Sequence, residues 1–257
     1  MPIKEFEQFN RQIEQELNIY KKRSSYLFDY LKSQAEAGFS KNQFLIYRDN
    51  YFYRTISTIP CVSLVVKAAA ENEDEATLKS AGQNLSEELG IDSKSSKSHA
   101  ELLRYSHNTH GEKAFNAAPI TLKDSLQSNH VFAATRKFKQ IQLSLYTSSD
   151  YVEVLAASYA QEEVATEMLS VFYQTFFESR KDIYSTKKEF DLVAEYFTCH
   201  LNGLEVRHAE DAKYCLFTHC NSSTKKDIAI HAMSQILHAQ SEIWIVLKDK
   251  LTTCLLQ

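Results

Sequence analysis

The chain has 257 residues and contains only five glycines and three prolines, which is too few for the many tight turns of an all-β fold. Its 29 basic and 33 acidic residues are evenly spread and give a formal net charge of −4, so no basic stripe marks a nucleic-acid-binding protein. No stretch reaches the roughly 18 apolar residues of a membrane span, and the charged start lacks the apolar run of a secretory signal. We therefore expect a cytoplasmic protein whose partners include neither nucleic acid nor a membrane.

Apolar residues recur at helical spacing along the sequence and predict seven or eight helices. Ser40 and Gln43 have the spacing of a capping box at the start of the second helix, and Pro60 should kink or split that helix. The first segment, about residues 3–35, should form one broken helix or two, with a break near Lys22–Ser25. The other predicted helices cover about residues 40–70, 73–89, a short stretch from 99, 122–145, 148–177, 187–219 and 223–253. Short connections without repeats predict an all-α, compact helical bundle that forms a single domain over residues 1–257.

Acidic and imidazole side chains stand at apolar helix positions in the second half of the chain. Glu162 shares one helical face with apolar residues and should point into the core, where a lone carboxylate is costly without a partner or a metal. Glu205 and His208 stand three apart, in the Glu-x-x-His arrangement of di-iron helical bundles. His200 lies eight residues before His208, whereas a spacing of seven would keep the two in phase, so we predict a π-bulge at residues 202–203.

A third acid and a third imidazole precede these residues, in the segments SEELG and SHAELL. With them, the residues predict two metal positions that share Glu162. The predicted metal ligands are Glu87, His99, Glu162, His200, Glu205 and His208. Three carboxylates and three imidazoles suit two Fe(II) ions, with manganese as an alternative at one position, whereas zinc prefers fewer ligands. The residual positive charge would accept an anionic group of a substrate.

At these residues the sequence resembles the haem-oxygenase-like di-iron oxidases, above all the branch that contains the chlamydial protein associating with death domains. The similarity covers most of the chain and is most specific in the YAQEE segment and in the YFTCH and GLEVRHAED segments. The family's six ligand positions fall on the six residues named above. The gap after His200 is one residue longer than the family's usual His-x3-Asp/Glu-x2-His. Relatives that make an aminobenzoate from one of their own tyrosines carry a lysine where this chain has Phe172, so the resemblance disfavours that reaction.

The resemblance implies a haem-oxygenase-like fold and an O₂-activating non-haem di-iron oxidoreductase, with O₂ as co-substrate. It implies a small carboxylate-bearing substrate, namely an amino acid, an amine or a fatty acid derivative. The resemblance leaves open whether the protein uses an external electron donor and whether it forms a homodimer. We interpret Glu162 as the bridging ligand, and we expect Tyr47 and Tyr51 to line the substrate pocket and take part in catalysis.

Other interpretations of the same residues stay open. The chain could be a helical protein-interaction module whose acids and histidines are incidental or hold one structural metal. A haem or thiamine-type enzyme of this fold would need a histidine near the start of the chain or a nucleophilic cysteine in the pocket, and the absence of histidine from the first 98 residues disfavours the haem interpretation. We expect Glu88 and Glu163 to be solvated and keep them as substitute ligands for a different helical phase. His107 and His110 could compete with His99 for the first metal, but at a helix end we expect them to be solvated, and we assign none of the five cysteines chemistry. On the last helix, His231, His238 and Glu242 form a stripe that suits a surface metal or a packing seam.

Overall fold

The computed structural model describes residues 3–91 and 96–254, and this part of the chain is helical without any strand. The predicted fold class is therefore confirmed. The helices are α1 (Ile3–Gln34), α2 (Lys41–Thr55), α3 (Thr58–Glu71), α4 (Glu75–Glu88), α5 (His99–Phe115), α6 (Leu122–Gln127), α7 (Ala133–Tyr146), α8 (Tyr151–Glu163), α9 (Ala165–Phe172), α10 (Lys187–Leu201), α11 (Leu204–His219) and α12 (Ser223–Thr253). A π-helical turn, Tyr173–Phe177, and a 3₁₀ segment, Glu178–Ile183, connect α9 to α10.

Local sequence signals explain where several helices begin. Ser40 and Gln43 form the predicted capping box at the start of α2. The predicted second helix is split between α2 and α3, and Pro60 lies in the first turn of α3, where its missing N–H has no intrahelical partner to lose. The polar loop that follows α4 lies partly outside the described residues.

The extra residue between His200 and His208 is absorbed by a helix break and not by the predicted π-bulge. α10 ends at Leu201 and α11 begins at Leu204. Between them Gly203 has a φ of +101°, in the left-handed region that glycine enters at little cost. The predicted location was therefore right, whereas the predicted kind of irregularity was wrong.

The centre of the bundle is formed by α8 and α12. α12 packs against α1, α7 and α8, and α8 also packs against α11. Ala156, Ala157 and Ala160 of α8 are fully buried, and their small side chains let the neighbouring helices approach closely. Among the described residues, no helix combines the length and apolarity needed to cross a bilayer.

Candidate metal centre

Acidic and imidazole side chains from five helices meet beside α8. They are Glu87 and Glu88 at the end of α4, His99 at the start of α5, Glu162 near the end of α8, His200 near the end of α10, and Glu205 and His208 on α11. The break at Gly203 separates the last two elements and directs both into the same region. The structure thus brings all six predicted ligands into one cluster, together with Glu88.

One half of the cluster surrounds the carboxylate of Glu88. Its Oε1 lies 3.1 Å from Nδ1 of His99 and 3.8 Å from Nε2 of His200. The same Nε2 lies 3.6 Å from Oε1 of Glu205. All four residues are buried, and Nδ1 of His99 has no hydrogen-bond partner despite its distance from Glu88. A buried nitrogen without a partner, facing carboxylates, is the arrangement expected where a cation binds.

The other half of the cluster surrounds Glu162. Atoms of Glu162, Glu205 and His208 all lie within 4.8 Å of one another, so one ion could contact the three side chains. Oε2 of Glu162 lies 3.8 Å from Nδ1 of His208, and Oε1 accepts a hydrogen bond of 2.9 Å from Asn84. Glu205 therefore faces His200 on one side and Glu162 on the other.

Glu87 lies behind the second half of the cluster. Its Oε2 lies 2.7 Å from Nε2 of His208, and its Oε1 accepts a hydrogen bond of 2.5 Å from Arg207. Burial raises the pKa of Glu87, but the hydrogen bond from His208 and the charge of Arg207 outweigh it and leave the pKa below its usual value. An ionised carboxylate only accepts, so Nε2 of His208 donates to Glu87, and Nδ1 is the nitrogen that faces Glu162.

The two consecutive glutamates of α4 differ from the expectation drawn from the sequence. The sequence interpretation placed Glu87 among the ligands and Glu88 in solvent. Glu88 is only 6% exposed, so the expectation that it is solvated is wrong. The carboxylate of Glu88 lies beside His99 and His200, inside the cluster. The carboxylate of Glu87 contacts His208 on the side that faces away from Glu162. Glu163, the other residue expected in solvent, is half-buried.

Negative charge is concentrated inside the cluster. Burial raises the pKa of Glu205, His200 opposes it, and the nearby Glu162 and Glu88 add to it, so that the pKa is about 8. Burial also raises the pKa of Glu162. Glu88 behaves differently, because the imidazoles of His200 and His99 beside it outweigh its burial and lower its pKa to about 2. Bound cations would relieve the repulsion among these three carboxylates.

Glu162 lies between two cavities. The larger, of about 70 Å³, contains Glu88, His99, His200 and Glu205 in its wall. The smaller, of about 30 Å³, contains His208. Glu162 lines both of them.

Cys199 is a residue of the cluster that the sequence interpretation missed. Its Sγ lies 3.3 Å from Nδ1 of His200 and 3.8 Å from Nε2 of His99. Burial raises the pKa of this thiol, but the two imidazoles outweigh that effect and lower it to about 6. Its position directly before His200 was the only sequence signal, and adjacency on a helix does not normally bring two side chains to one site.

The predicted catalytic tyrosines are buried, yet neither lines the cavity beside the acids. The hydroxyl of Tyr47 lies 3.3 Å from Nε2 of His107, and its ring stacks on Phe176. The hydroxyl of Tyr51 lies 3.3 Å from that of Tyr196, which does line the cavity. Tyr196 was not singled out from the sequence, although it is four residues before His200 and therefore on the same helical face.

Other histidines lie outside the cluster. His107 and His110 are fully buried, so the expectation that they are solvated is wrong. Burial lowers the pKa of both, and His110 contacts the hydroxyl of Tyr184 at 2.7 Å. On α12, His231 and His238 are exposed, and among the described residues only Glu242 of this stripe pairs with α1, through Arg23.

Comparisons with known proteins identify the fold. No protein-family model and no curated protein matches the chain. A solved structure of a CADD-like protein of unknown function from Nostoc punctiforme has a TM-score of 0.71 and 16% identity, covering 95% of this chain and 98% of that one. A domain of unknown function with a haem-oxygenase-like fold from Shewanella denitrificans has a TM-score of 0.67 and 14% identity, covering 94% and 92%. The chain has a haem-oxygenase-like fold. At these identities the similarity shows the fold alone.

Proposed function

We propose that the chain is an O₂-activating non-haem di-iron oxidase or oxygenase. The observation that carries this proposal is the buried cluster in which three carboxylates and three imidazoles face one another from five helices. Glu88, His99, His200 and Glu205 would hold one Fe(II), and Glu162, Glu205 and His208 the other. Such carboxylate–imidazole sets suit iron or manganese, with manganese as the alternative at one position.

Two Fe(II) ions would supply electrons and open coordination positions for O₂. The residues of the chain would orient the ligands and exclude water. The backbone carbonyl of Tyr196 lies 2.5 Å from Nδ1 of His200, so it accepts that proton and leaves Nε2 free to face Glu88 and Glu205. Glu87 acts in the same way on His208. In this proposal Glu87 is an outer partner and Glu88 the ligand.

The charge of the site supports an anionic substrate. Two divalent ions exceed by one the charge of the carboxylates of Glu88, Glu162 and Glu205, so a further anion is needed for neutrality. We therefore retain a small carboxylate-bearing substrate, that is, an amino acid, an amine or a fatty acid derivative. An external electron donor remains part of the proposal. Phe172 is fully buried against Tyr47 and Tyr51, so the position where aminobenzoate-forming relatives carry lysine is apolar here.

The proposal is tested by loading the protein anaerobically with Fe(II), measuring bound iron, and then adding O₂ while recording the visible spectrum. We expect about two irons per chain and a transient O₂-dependent band. Both should be lost in Glu162→Ala and His208→Ala. His238→Ala, an exposed histidine of α12, is the matched control and should behave as the native chain does.

Absence of iron and of any O₂-dependent band in the native chain would reject the enzyme. It would favour the interaction module, in which the acids and histidines hold at most one structural metal. Equal iron content in the native chain, Glu162→Ala and His208→Ala would also reject the site, because the iron would then be bound elsewhere.

A further inference from the structure

Arg54 is a buried cation in the wall of the larger cavity of the candidate metal centre. It is the penultimate residue of α2 and is only 7% exposed. It lines the same cavity as Glu88, Glu162 and Glu205. None of the interactions described above requires a charged group at this position.

The guanidinium of Arg54 has only neutral partners among the described residues. Its Nη2 donates to Oε1 of Gln161 at 3.1 Å and to Oε1 of Gln240 at 2.8 Å. Its Nε is buried without a hydrogen-bond partner, and Nη1 donates to no described group. By contrast, Arg48 lies on the same helix, is equally buried, and pairs with Asp49 at 2.9 Å. A buried arginine normally needs such an acid, because an unpaired buried charge is costly.

An apolar cavity shares part of its wall with the cavity that Arg54 lines. A cavity of about 280 Å³ adjoins the metal cavity, and Ile56, Cys61 and Gln142 line both of them. The other side chains of its wall come from α3, α6 and α7 and the residues before α3, and they are Ser57, Pro60, Leu64, Leu122, Leu126, Lys139 and Leu143. A ligand that spans both cavities would therefore have a polar end near Arg54 and an apolar body.

We infer that Arg54 is the anion anchor of the substrate pocket and selects an organic carboxylate whose apolar body lies in the 280 Å³ cavity. A carboxylate would supply the acid that the guanidinium lacks, through paired hydrogen bonds to its fork of N–H groups. This inference rests on the proposed function for the position of the reacting group. Binding of the carboxylate by Arg54 does not itself require iron.

The experiment is isothermal titration calorimetry of the full chain with straight-chain carboxylates from acetate to decanoate. It is done without metal and again after anaerobic loading with Fe(II). The neutral amide of the tightest carboxylate is titrated as the matched ligand. Arg54→Gln removes the charge, Arg54→Lys keeps it without the fork, and Arg23→Gln is the control, because Arg23 pairs with Glu242 away from the cavities.

We expect the native chain to bind the carboxylate at least about tenfold more tightly than the amide, the ratio expected for a hydrogen bond to a charged group. Arg54→Gln should lose that preference, Arg54→Lys should keep part of it, and Arg23→Gln should keep all of it. Affinity should rise with chain length until the cavity of about 280 Å³ is filled and should not rise further after that. The comparison of carboxylate with amide in the native chain needs no substitution, so it stands even where a variant fails to fold.

The inference is overturned when no carboxylate binds the native chain, when the amide binds equally well, or when Arg54→Gln keeps the preference. These outcomes are separable from the fate of the di-iron proposal. A chain that binds no iron but prefers carboxylates through Arg54 keeps the anchor and loses the oxidase. A chain that binds two irons but shows no preference for carboxylates supports the oxidase proposal and rejects Arg54 as the anchor.

Discussion

Oε2 of Glu87 lies 2.7 Å from Nε2 of His208, on the edge of the ring opposite to the nitrogen that faces Glu162. The next residue, Glu88, contacts His99 on the inner side of the cluster. Consecutive helical side chains point about 100° apart, so α4 can place one carboxylate inside the cluster and one behind it. The roles proposed for these two glutamates therefore differ in a way that can be measured.

We predict that Glu88→Gln lowers bound iron from about two per chain to about one, because it removes a direct ligand. Glu87→Ala should still bind two irons at saturation, but with an affinity lower by about 10–100-fold, as expected for the loss of an outer partner. The measurement is an anaerobic Fe(II) titration with metal analysis, and Glu163→Gln on α8 serves as the control. An equal loss of iron in the Glu87 and Glu88 variants would contradict the distinction.

We predict that Gly203→Ala destabilises the chain by about 1–2 kcal/mol, the cost of a left-handed conformation for a residue with a Cβ. The φ of Gly203 is +101°, and an added Cβ would meet nothing within 4 Å, so the cost is conformational rather than a clash. Gly82→Ala is the matched control, since Gly82 lies within α4 and also has open space around it.

The two glycine variants should shift the urea midpoint in opposite directions, because alanine is favoured over glycine within a helix by roughly 0.5–1 kcal/mol. Gly203→Ala should in addition weaken iron binding, since the break sets the phase between His200 and His208. A neutral or stabilising effect of Gly203→Ala would mean that the left-handed conformation is not needed there.

We predict that Asp74 stabilises the fold in a pH-dependent way. Asp74 caps α4, and its Oδ2 accepts hydrogen bonds from Thr77, Tyr151 and His219. Burial raises its pKa, but these hydrogen bonds outweigh that effect and lower the pKa to about 2. Because the folded value lies below the unfolded value of about 3.9, its contribution is complete above about pH 5 and disappears as the pH falls towards 2.

The measurement for Asp74 is urea unfolding of the native chain and of Asp74→Asn and Asp74→Ala. Both should be less stable near neutral pH, the alanine variant by about 1–3 kcal/mol through the lost cap and unsatisfied partners. The difference between the native chain and Asp74→Asn should shrink between about pH 5 and about pH 2. A difference that is constant over this range would show that the charge of Asp74 contributes nothing.

We predict that Tyr196→Phe alters the O₂-dependent spectrum, whereas Tyr47→Phe leaves it unchanged. The ring of Tyr196 lies 4.7 Å from that of His200 and lines the cavity, whereas the hydroxyl of Tyr47 faces His107. Tyr51→Phe should have an intermediate effect, because it removes the partner of the Tyr196 hydroxyl. The measurement is the decay rate of the band after O₂ addition. A larger effect of Tyr47→Phe would restore the role first expected of Tyr47.

Much of the candidate site could be predicted from the sequence because each signal was local. The spacing of Glu205 and His208 on one helix, and the apolar surroundings of Glu162, need only helical periodicity. The irregularity at residues 202–203 followed from counting between His200 and His208. The form of this irregularity could not be predicted, because a π-bulge and a helix break with Gly203 at φ +101° both absorb one residue.

The remaining features depend on how separate helices pack. Whether Glu87 or Glu88 faces the cluster depends on how α4 is rotated about its axis against α11. The two side chains point about 100° apart around that axis. The burial of His107 and His110 depends on aromatic neighbours from other helices, among them Phe44 and Phe177.

The sequence by itself determined the helical class, the capping of α2 and the residue types of the cluster, because periodicity, caps and spacing act within one helix. Only the tertiary structure decided that Glu88 lies inside, that Cys199 touches two histidines, and that Arg54 stands uncompensated beside the acids. Those relations join residues up to 186 positions apart, as for Arg54 and Gln240, and packing between helices sets them rather than local preference.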